Sequence, residues 1–355
     1  SHSRKPIVKK SDLRSDLSRR DFTINCLAMD ISPDKFGEIT DIFDGITDIK
    51  RGLIRTPLNP DVTFEDDPLR MLRAIRFSTT LDFEIEPQTY RAISENKERL
   101  KIISQERITE EFRKMLLADK PSAGIYLLRD TGILDIVFPE LSDMGGVDQR
   151  DAFHHKDVFN HTLQVLDNIS EITDKFELRL VALFHDVAKP RTKRFVEGTG
   201  WTFHGHEDLG ARMFGHIGRR MRLSQQQIKY VKKLILLHLR PMQLVDESVT
   251  DSAIRRLMVE AGEDIDDLMM LCRADITSKN PEKVRRYLAN FDQVEQKMKE
   301  VEEKDHLRNF KLAIDGKIIM DTLKISPGPQ VGRIKQAVTD AVLDGEIPNE
   351  EEACF

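Results

Sequence analysis

The chain has 355 residues, of which 39% are hydrophobic, 33% charged and 6% aromatic, with 55 basic and 61 acidic side chains for a net charge of −6. These figures describe a helix-rich chain of two or three domains, or one elongated multi-module body, and exclude a fibre or a mucin. No apolar run approaches the roughly 18 residues of a membrane span, so no membrane partner is expected and any polyanion is held by local basic patches. Cys26, Cys272 and Cys354 lie far apart and form no CxxC pair, which favours a reducing, cytoplasmic setting over a disulfide framework.

The chain opens Ser1-His2-Ser3-Arg4-Lys5-Pro6, without Met and without the layout of a signal peptide. It reads as a tag scar or as the continuation of a segment lying upstream. Residues 22–31 and 38–43 are short β-capable runs, and Ser32-Pro33-Asp34-Lys35-Phe36-Gly37 between them is a turn. The pattern predicts a hairpin. Two strands make a poor domain, so this hairpin pairs with an upstream sheet or forms a small flap on a helical body. From Asp66 the pattern turns helical almost throughout, with a cap-then-proline start at Asp67 and Pro68 and apolar spacing through Leu81. Further helices are predicted over 87–100, 105–118, 121–131, 157–170, 176–188, 206–221, 224–239, 250–260, 264–277, 281–304 and 330–344. Mixed charge over 282–306 marks a long, solvated helix leading to a C-terminal module.

Arg70, Arg73 and Arg76 recur at i, i+3 and i+6 on the helix that follows Asp67. Their stems sweep an arc of about 120°, with Met71, Leu72 and Ile75 roughly opposite. One face packs and the other collects positive charge. Three arginines on one arc repel one another unless anions neutralise them, and the planar guanidinium fork suits carboxylates, phosphate oxygens or a base edge.

The string Arg19-Arg20-Asp21-Phe22-Thr23-Ile24-Asn25 resembles the RRDFTIN motif of the class II tRNA nucleotidyltransferase and bacterial poly(A) polymerase family. The stretch DIFDGITDIKRGLIR, Asp41 to Arg55, resembles that family's next motif, and FEDDPLRMLRAIRF, Phe64 to Phe77, matches its EDPLRxLRAxRF signature with Asp66 where Glu is usual. Segments beginning at Glu106, Gly132, Ile325 and Leu343 are also similar, so the likeness covers nearly the whole chain. The resemblance implies that Arg20, Arg73 and Arg76 bind a nucleotide triphosphate, supported by Asp21 and Asn25. It further implies that Asp67 and Arg70 select the incoming base, a role that suits a carboxylate acceptor and a guanidinium donor. ATP and possibly CTP would be the nucleotides, and a tRNA or other RNA 3′ end the acceptor. The Asp-x-Asp pair that holds two Mg²⁺ for transfer in that family does not precede Arg19. Transferase activity is therefore not expected of the chain as it stands. Asp264-Ile265-Asp266 opens a helical pattern, where acids in the first turn are ordinary.

Eight of the ten histidines fall between positions 154 and 238, where an even spread would place two or three. His185-Asp186 ends an apolar helix, with His161 before it and His206, His238 and Asp275 after it. Buried imidazoles and carboxylates on apolar helices need partners, and several converging ones share a divalent cation readily. The order His, His-Asp, His, His, Asp resembles the metal-dependent HD phosphohydrolase superfamily in its two-metal form, with Asp186 bridging and Lys189 in place. The resemblance implies metal ligation by His161, His185, Asp186, His206, His238 and Asp275, and catalysis by Asp186 and Lys189, with Mn, Co, Ni or Mg²⁺ as the metal. His154, His155 and His216 read as surface or structural, and His204 competes with His206 for its place.

The expected fold is mainly α: an elongated multi-helical body with a short N-terminal β hairpin, the remnant of a nucleotidyltransferase α/β head. The expected division is a head remnant over 1–58, a nucleotide- and RNA-binding neck over 59–145, an HD domain over 146–280 and a tRNA-binding helical tail over 281–355. Two functions fit: addition of CCA or A to RNA 3′ ends with an accessory HD domain, or hydrolysis of phosphomonoesters or 2′,3′-cyclic phosphates with the N-terminal part as an RNA-binding scaffold.

Overall fold

The computed structural model describes residues 12–151, 154–244, 250–278, 280–305 and 310–355. The fold is mainly α, and each sheet among the described residues has only two strands. The expected hairpin is present as Leu27–Met29 against Ile39–Asp41, antiparallel. It is shorter than its β-capable run because Thr23–Asn25 closes into a 3-10 turn. The Thr23 hydroxyl donates to Asp48 at 2.6 Å, and its amide donates to the Arg55 carbonyl at 2.8 Å. Arg55 in turn donates to Asp48 at 2.9 Å. Buried Asp48 thus locks the Arg19–Asn25 motif onto the Asp41–Arg55 motif. Within the second motif, Asp41 caps the helix Gly45–Arg51 by accepting from the amides of Gly45 and Ile46, both at 2.9 Å. A Cβ on Gly45 would lie 2.2 Å from the Thr23 carbonyl oxygen, so only glycine permits this approach.

Leu53–Ile54 pairs in parallel with Glu84–Ile85, which stitches the first segment to the helices that follow. Those helices are Pro60–Asp66, Leu69–Leu81, Pro87–Asn96, Gln105–Leu116 and Pro121–Asp130. Three of the five open on proline, whose fixed φ and missing donor cost nothing at that position. Gln105–Leu116 buries Ile108, Phe112, Met115 and Leu116, the spacing of a helix with one apolar stripe.

Val158–Ser170, Phe176–Phe184, His206–Arg220, Gln225–Leu237, Asp251–Ala261 and Ile265–Ala274 form the second group of helices. One continuous core runs from Phe22 through both groups to Val301. Two hairpins unforeseen in the sequence decorate this part: Asp148–Asp151 with His154–Asp157, and Arg194–Val196 with Gly200–Thr202. The side chains of His154 and His155 lie outside the described residues. Asp264 and Asp266 do open a helix, and Asp264 pairs with Lys233 at 2.6 Å.

The helix Pro281–Asp305 is long, as predicted, but not solvated all round. Phe291, Val294, Met298 and Val301 are buried along one stripe. Beyond it, Gly316–Leu323 and Pro329–Asp344 enclose a separate small core of Ile314, Ile319, Val331 and Cys354.

Candidate functional site

Two sites emerge, one on each helical group. The first is an open cleft of about 600 Å³ lined by Arg20, Asp21, Asn25, Asp67, Leu69, Arg70, Arg73, Phe77 and Arg107. Six of the seven residues singled out for nucleotide binding therefore meet at one surface, although up to 53 positions separate them. Asp21 is the hinge of the arrangement. It accepts from Arg73 Nε at 2.8 Å through one oxygen and from Asn25 Nδ2 at 3.0 Å through the other. Arg20 donates to the Asn25 carbonyl at 2.9 Å. Asp67 accepts from the Leu69 amide at 3.1 Å, which starts the arginine helix, and pairs with Arg107 at 2.6 Å. Arg70 donates to the carbonyls of Thr63 and Arg19 and pairs with Asp66 at 2.9 Å. With Asp in place of Glu, that pairing is still made.

Arg76 stands apart from the cleft. It pairs with buried Glu111 at 2.6 Å and lies over the Phe77 ring, 3.7 Å from the centroid. Glu111 also faces Arg73 at 3.7 Å, so one carboxylate steadies two members of the arginine arc. Sequence reasoning missed Arg107 and Glu111. Both sit in the segment beginning at Glu106, and a charged residue on the buried stripe of a helix was the available signal for Glu111. Four guanidinium groups and the carboxylates of Asp21 and Asp67 line the cleft, and Asp16, Asp66 and Glu111 pair with Arg20, Arg70 and Arg73 around it.

The second site gathers all six residues expected to hold metal. His161, His185 and Asp275 form one group of close ligand atoms, and Asp186, His206 and His238 another. His161 Nε2 is 2.9 Å from Asp275 and 3.7 Å from Asp186. His185 Nε2 is 3.3 Å from Asp186, and His206 Nε2 is 3.3 Å from both Asp186 and His238 Nε2. Lys189 pairs with Asp186 at 2.6 Å. His204 is exposed, and His206 takes the inward place. His216 is exposed as expected.

Helix ends explain the convergence. His185, His238 and Asp275 each follow the last residue of a helix, and His206 begins one. The final carbonyls of a helix lack intrahelical donors. His185 Nδ1 meets the Ala182 carbonyl at 2.8 Å and His238 Nδ1 the Ile235 carbonyl at 2.6 Å. Outside a helix, His206 Nδ1 meets the Phe203 carbonyl at 2.8 Å. A carbonyl can only accept, so the proton sits on Nδ1 and the Nε2 lone pair faces the centre. His161 uses Nδ1 on the Thr277 hydroxyl at 2.8 Å, a contact the sequence did not suggest.

The electrostatics ask for a cation. Burial opposes a charge on His185, but Asp186 and Asp275 outweigh it and push the imidazole up to about 10. Burial and then the His185 charge push His238 down to about 4. Burial likewise opposes charge on Asp186, yet His185 and Lys189 hold its carboxyl well below the usual range. His185 Nε2 is buried and makes no aligned hydrogen bond. Neutral imidazole nitrogens and carboxylates in this number fit a first-row divalent ion.

Comparison with known proteins finds three family models in order along the chain. Residues 1–55 match the model described as "Poly A polymerase head domain", 82–144 that described as "Probable RNA and SrmB- binding site of polymerase A", and 158–280 the HD domain. The A-adding tRNA nucleotidyltransferase of Deinococcus radiodurans is 32% identical over 353 residues, covering 96% of this chain and 78% of that protein. The CC-adding tRNA nucleotidyltransferase of Thermus thermophilus is 29% identical over 351 residues, covering 96% and 76%. Among solved structures, the Bacillus stearothermophilus CCA-adding enzyme in complex with CTP superposes with a TM-score of 0.57 at 25% identity, covering 96% of this chain and 72% of that one. The match to the Deinococcus enzyme along nearly the whole chain, together with the head, RNA-binding and HD segments in order, places this chain in the tRNA nucleotidyltransferase family.

Proposed function

We propose that the protein takes part in adding nucleotides to the 3′ end of tRNA, with the cleft of Arg20, Asp21, Asn25, Asp67, Arg70 and Arg73 as its nucleotide site. The observation that carries this is the meeting of residues from the Arg19–Asn25 and Phe64–Phe77 motifs, with Arg107, around one arginine-lined cleft. Arg20 and Arg73 offer donors to the phosphates, and Asp21 and Asn25 fix where those donors stand. Asp67 and Arg70, each anchored through part of its polar edge, offer the remainder to the base. Arg76 acts from behind, through Glu111. The pair of Mg²⁺ ions that drives nucleotidyl transfer in such enzymes stabilises charge on the phosphates, and no residue of this chain is assigned to hold it. ATP and possibly CTP are the expected nucleotides, CCA or A the expected addition, and a cytoplasmic setting suits three buried free cysteines.

Equilibrium binding to the chain tests this. Arg73→Ala should weaken ATP, CTP and inorganic triphosphate alike. Arg70→Ala should alter the preference between ATP and CTP, since a bidentate base contact is worth about 1–3 kcal/mol. Equal weakening of every ligand by both variants would refute the division of labour.

A second activity is favoured by the paired ligand groups at Asp186. We read this site as a metal-dependent phosphohydrolase centre held by His161, His185, Asp186, His206, His238 and Asp275, with Lys189 beside Asp186 to meet a phosphoryl oxygen. Divalent ions there would supply a nucleophile from water and neutralise the phosphoryl charge. Nickel, cobalt and manganese suit this imidazole-rich donor set better than magnesium, which takes oxygen ligands. Elemental analysis of Asp186→Ala should show most bound metal lost, whereas His216→Ala should retain it. Metal-free, folded wild-type protein after incubation with all four ions would rule the centre out.

A further inference from the structure

The hairpin Arg194–Val196 with Gly200–Thr202 lies in the chain between Lys189 and His206, two residues of the HD centre. It carries the chain's only tryptophan, Trp201, and leaves it on the surface. Phe195 is its direct cross-strand partner and is 60% exposed. Their ring centroids are 5.4 Å apart with planes at 75°. Phe203 follows Trp201 by two residues, just past the end of the strand. The Lys193 ammonium stands 4.6 Å from the Trp201 centroid, and the Lys189 ammonium 5.6 Å from that of Phe203. Since Lys189 also touches Asp186 at 2.6 Å, one side chain joins the aromatic row to the metal-ligand cluster.

An aromatic pair across a short hairpin contributes to the hairpin's own stability. That purpose is served best with the rings covered, and here the larger share of Phe195 faces solvent, while the Lys193 ammonium stands beside its partner Trp201. Exposed rings flanked by cations are the means by which proteins hold single-stranded bases, whatever their sequence.

We propose that Phe195, Trp201 and Phe203 form a base-stacking platform that delivers a nucleotide phosphoester to the HD centre, with Lys193 and Lys189 meeting its phosphate. This rests on the phosphohydrolase reading of that centre. In the reaction so served, a water oxygen bonds to phosphorus as the ribose oxygen–phosphorus bond breaks. The ribose oxygen takes a proton, and inorganic phosphate leaves. The platform makes the site select esters that carry a base over esters of the same charge that carry none.

Trp201 is a built-in reporter. Adenosine 3′-monophosphate should quench its fluorescence saturably, and β-glycerol phosphate should not. Phe195→Ala should weaken the quenching about tenfold, in line with the loss of one stacking ring. In hydrolysis assays with Mg²⁺, Mn²⁺, Co²⁺ and Ni²⁺, Trp201→Ala should raise KM for adenosine 3′-monophosphate about tenfold with kcat little changed. It should leave β-glycerol phosphate turnover unaltered, and Trp201→Phe should restore the nucleotide KM. A short RNA ending in a 3′-phosphate, run beside the mononucleotide, tells whether the platform serves free nucleotides or RNA ends. Hydrolysis without quenching, or an equal loss on both esters, overturns the platform and leaves the hydrolase reading standing. Quenching without hydrolysis by any ion supports a base-binding surface and overturns the hydrolase reading. Neither signal overturns both.

Discussion

Arg179 shows what a single residue does in this fold. It sits within the apolar run Phe176–Phe184, its side chain only 1% exposed. Its five donors reach the carbonyls of Leu116 and Ala118 at 2.8 Å, those of Thr173 and Ser170, and the Asp174 carboxylate at 2.8 Å. Leu116 and Ala118 lie at the C-terminal end of the helix Gln105–Leu116, where carbonyls lack intrahelical donors. The guanidinium therefore caps one helical group from within the other. Arg179→Met would keep the volume and leave several buried acceptors unmet, at about 1–3 kcal/mol for each. The expected result is a loss of roughly 3 kcal/mol or more in a denaturant titration, with Arg179→Lys recovering only part of it. A loss below about 1 kcal/mol would mean that water replaces the guanidinium. The sequence concealed this role, because a lone arginine in an apolar run does not name its acceptors. The convergence of His185, Asp186, His206 and His238 was legible by contrast, since histidines crowd into that part of the chain. Arg107 and Thr277 were not, because their partners come from distant segments.

At the scale of elements, long helices were legible, and so was the first hairpin with its Ser32–Gly37 turn, whereas the later short strands were not. Periodic burial repeats over three or four turns in Gln105–Leu116 or Val158–Ser170, whereas Arg194–Val196 offers only three residues to any pattern. The two-residue pairing of Leu53–Ile54 with Glu84–Ile85 leaves no local trace at all. Charge also clamps the second helical group to the short helix Pro139–Ser142 that precedes it in the chain. Arg220, on His206–Arg220, makes a bidentate contact with Glu140 at 2.8 and 2.6 Å. Burial works to raise the Glu140 carboxyl, but the Arg220 hydrogen bonds prevail and hold it below its ordinary value of 4.5. A depressed carboxyl contributes stability that is present above its unfolded pKa and is lost as pH falls through the folded one. Arg220→Ala should thus cost about 1–3 kcal/mol at pH 7. The gap between wild type and variant should narrow once the pH drops below 4.5, the ordinary value. Parallel stability curves down to that range would show that the clamp does not carry the charge dependence.

The whole molecule divides where its cores divide. Residues from Phe22 to Val301 share one core, while Ile314, Ile319, Val331 and Cys354 form their own. The smaller body is held to the helix Asp251–Ala261 by polar contacts: Arg256 to Asp344 at 2.7 Å and to Asp340 at 3.9 Å, and Ser252 to Asp344. Partly exposed pairs of this kind contribute about 0–1 kcal/mol each and weaken with salt. Arg256→Glu should therefore release the C-terminal body, seen as an increased radius of gyration in solution scattering at low salt. Wild type should approach the same radius at high salt, and an unchanged radius in both would mean that apolar contact holds the body in place. The long N-terminal core has a different consequence, one of timing. Asp21 gains Arg73 only after some fifty further residues, and Arg73 gains Glu111 later still. At a synthesis rate of about 5–20 residues per second, the opening segment waits several seconds before its partners leave the ribosome. During that interval Ile54 has no strand beside it, and the Arg19–Asn25 motif takes its final shape only once Arg73 and Glu111 have been made.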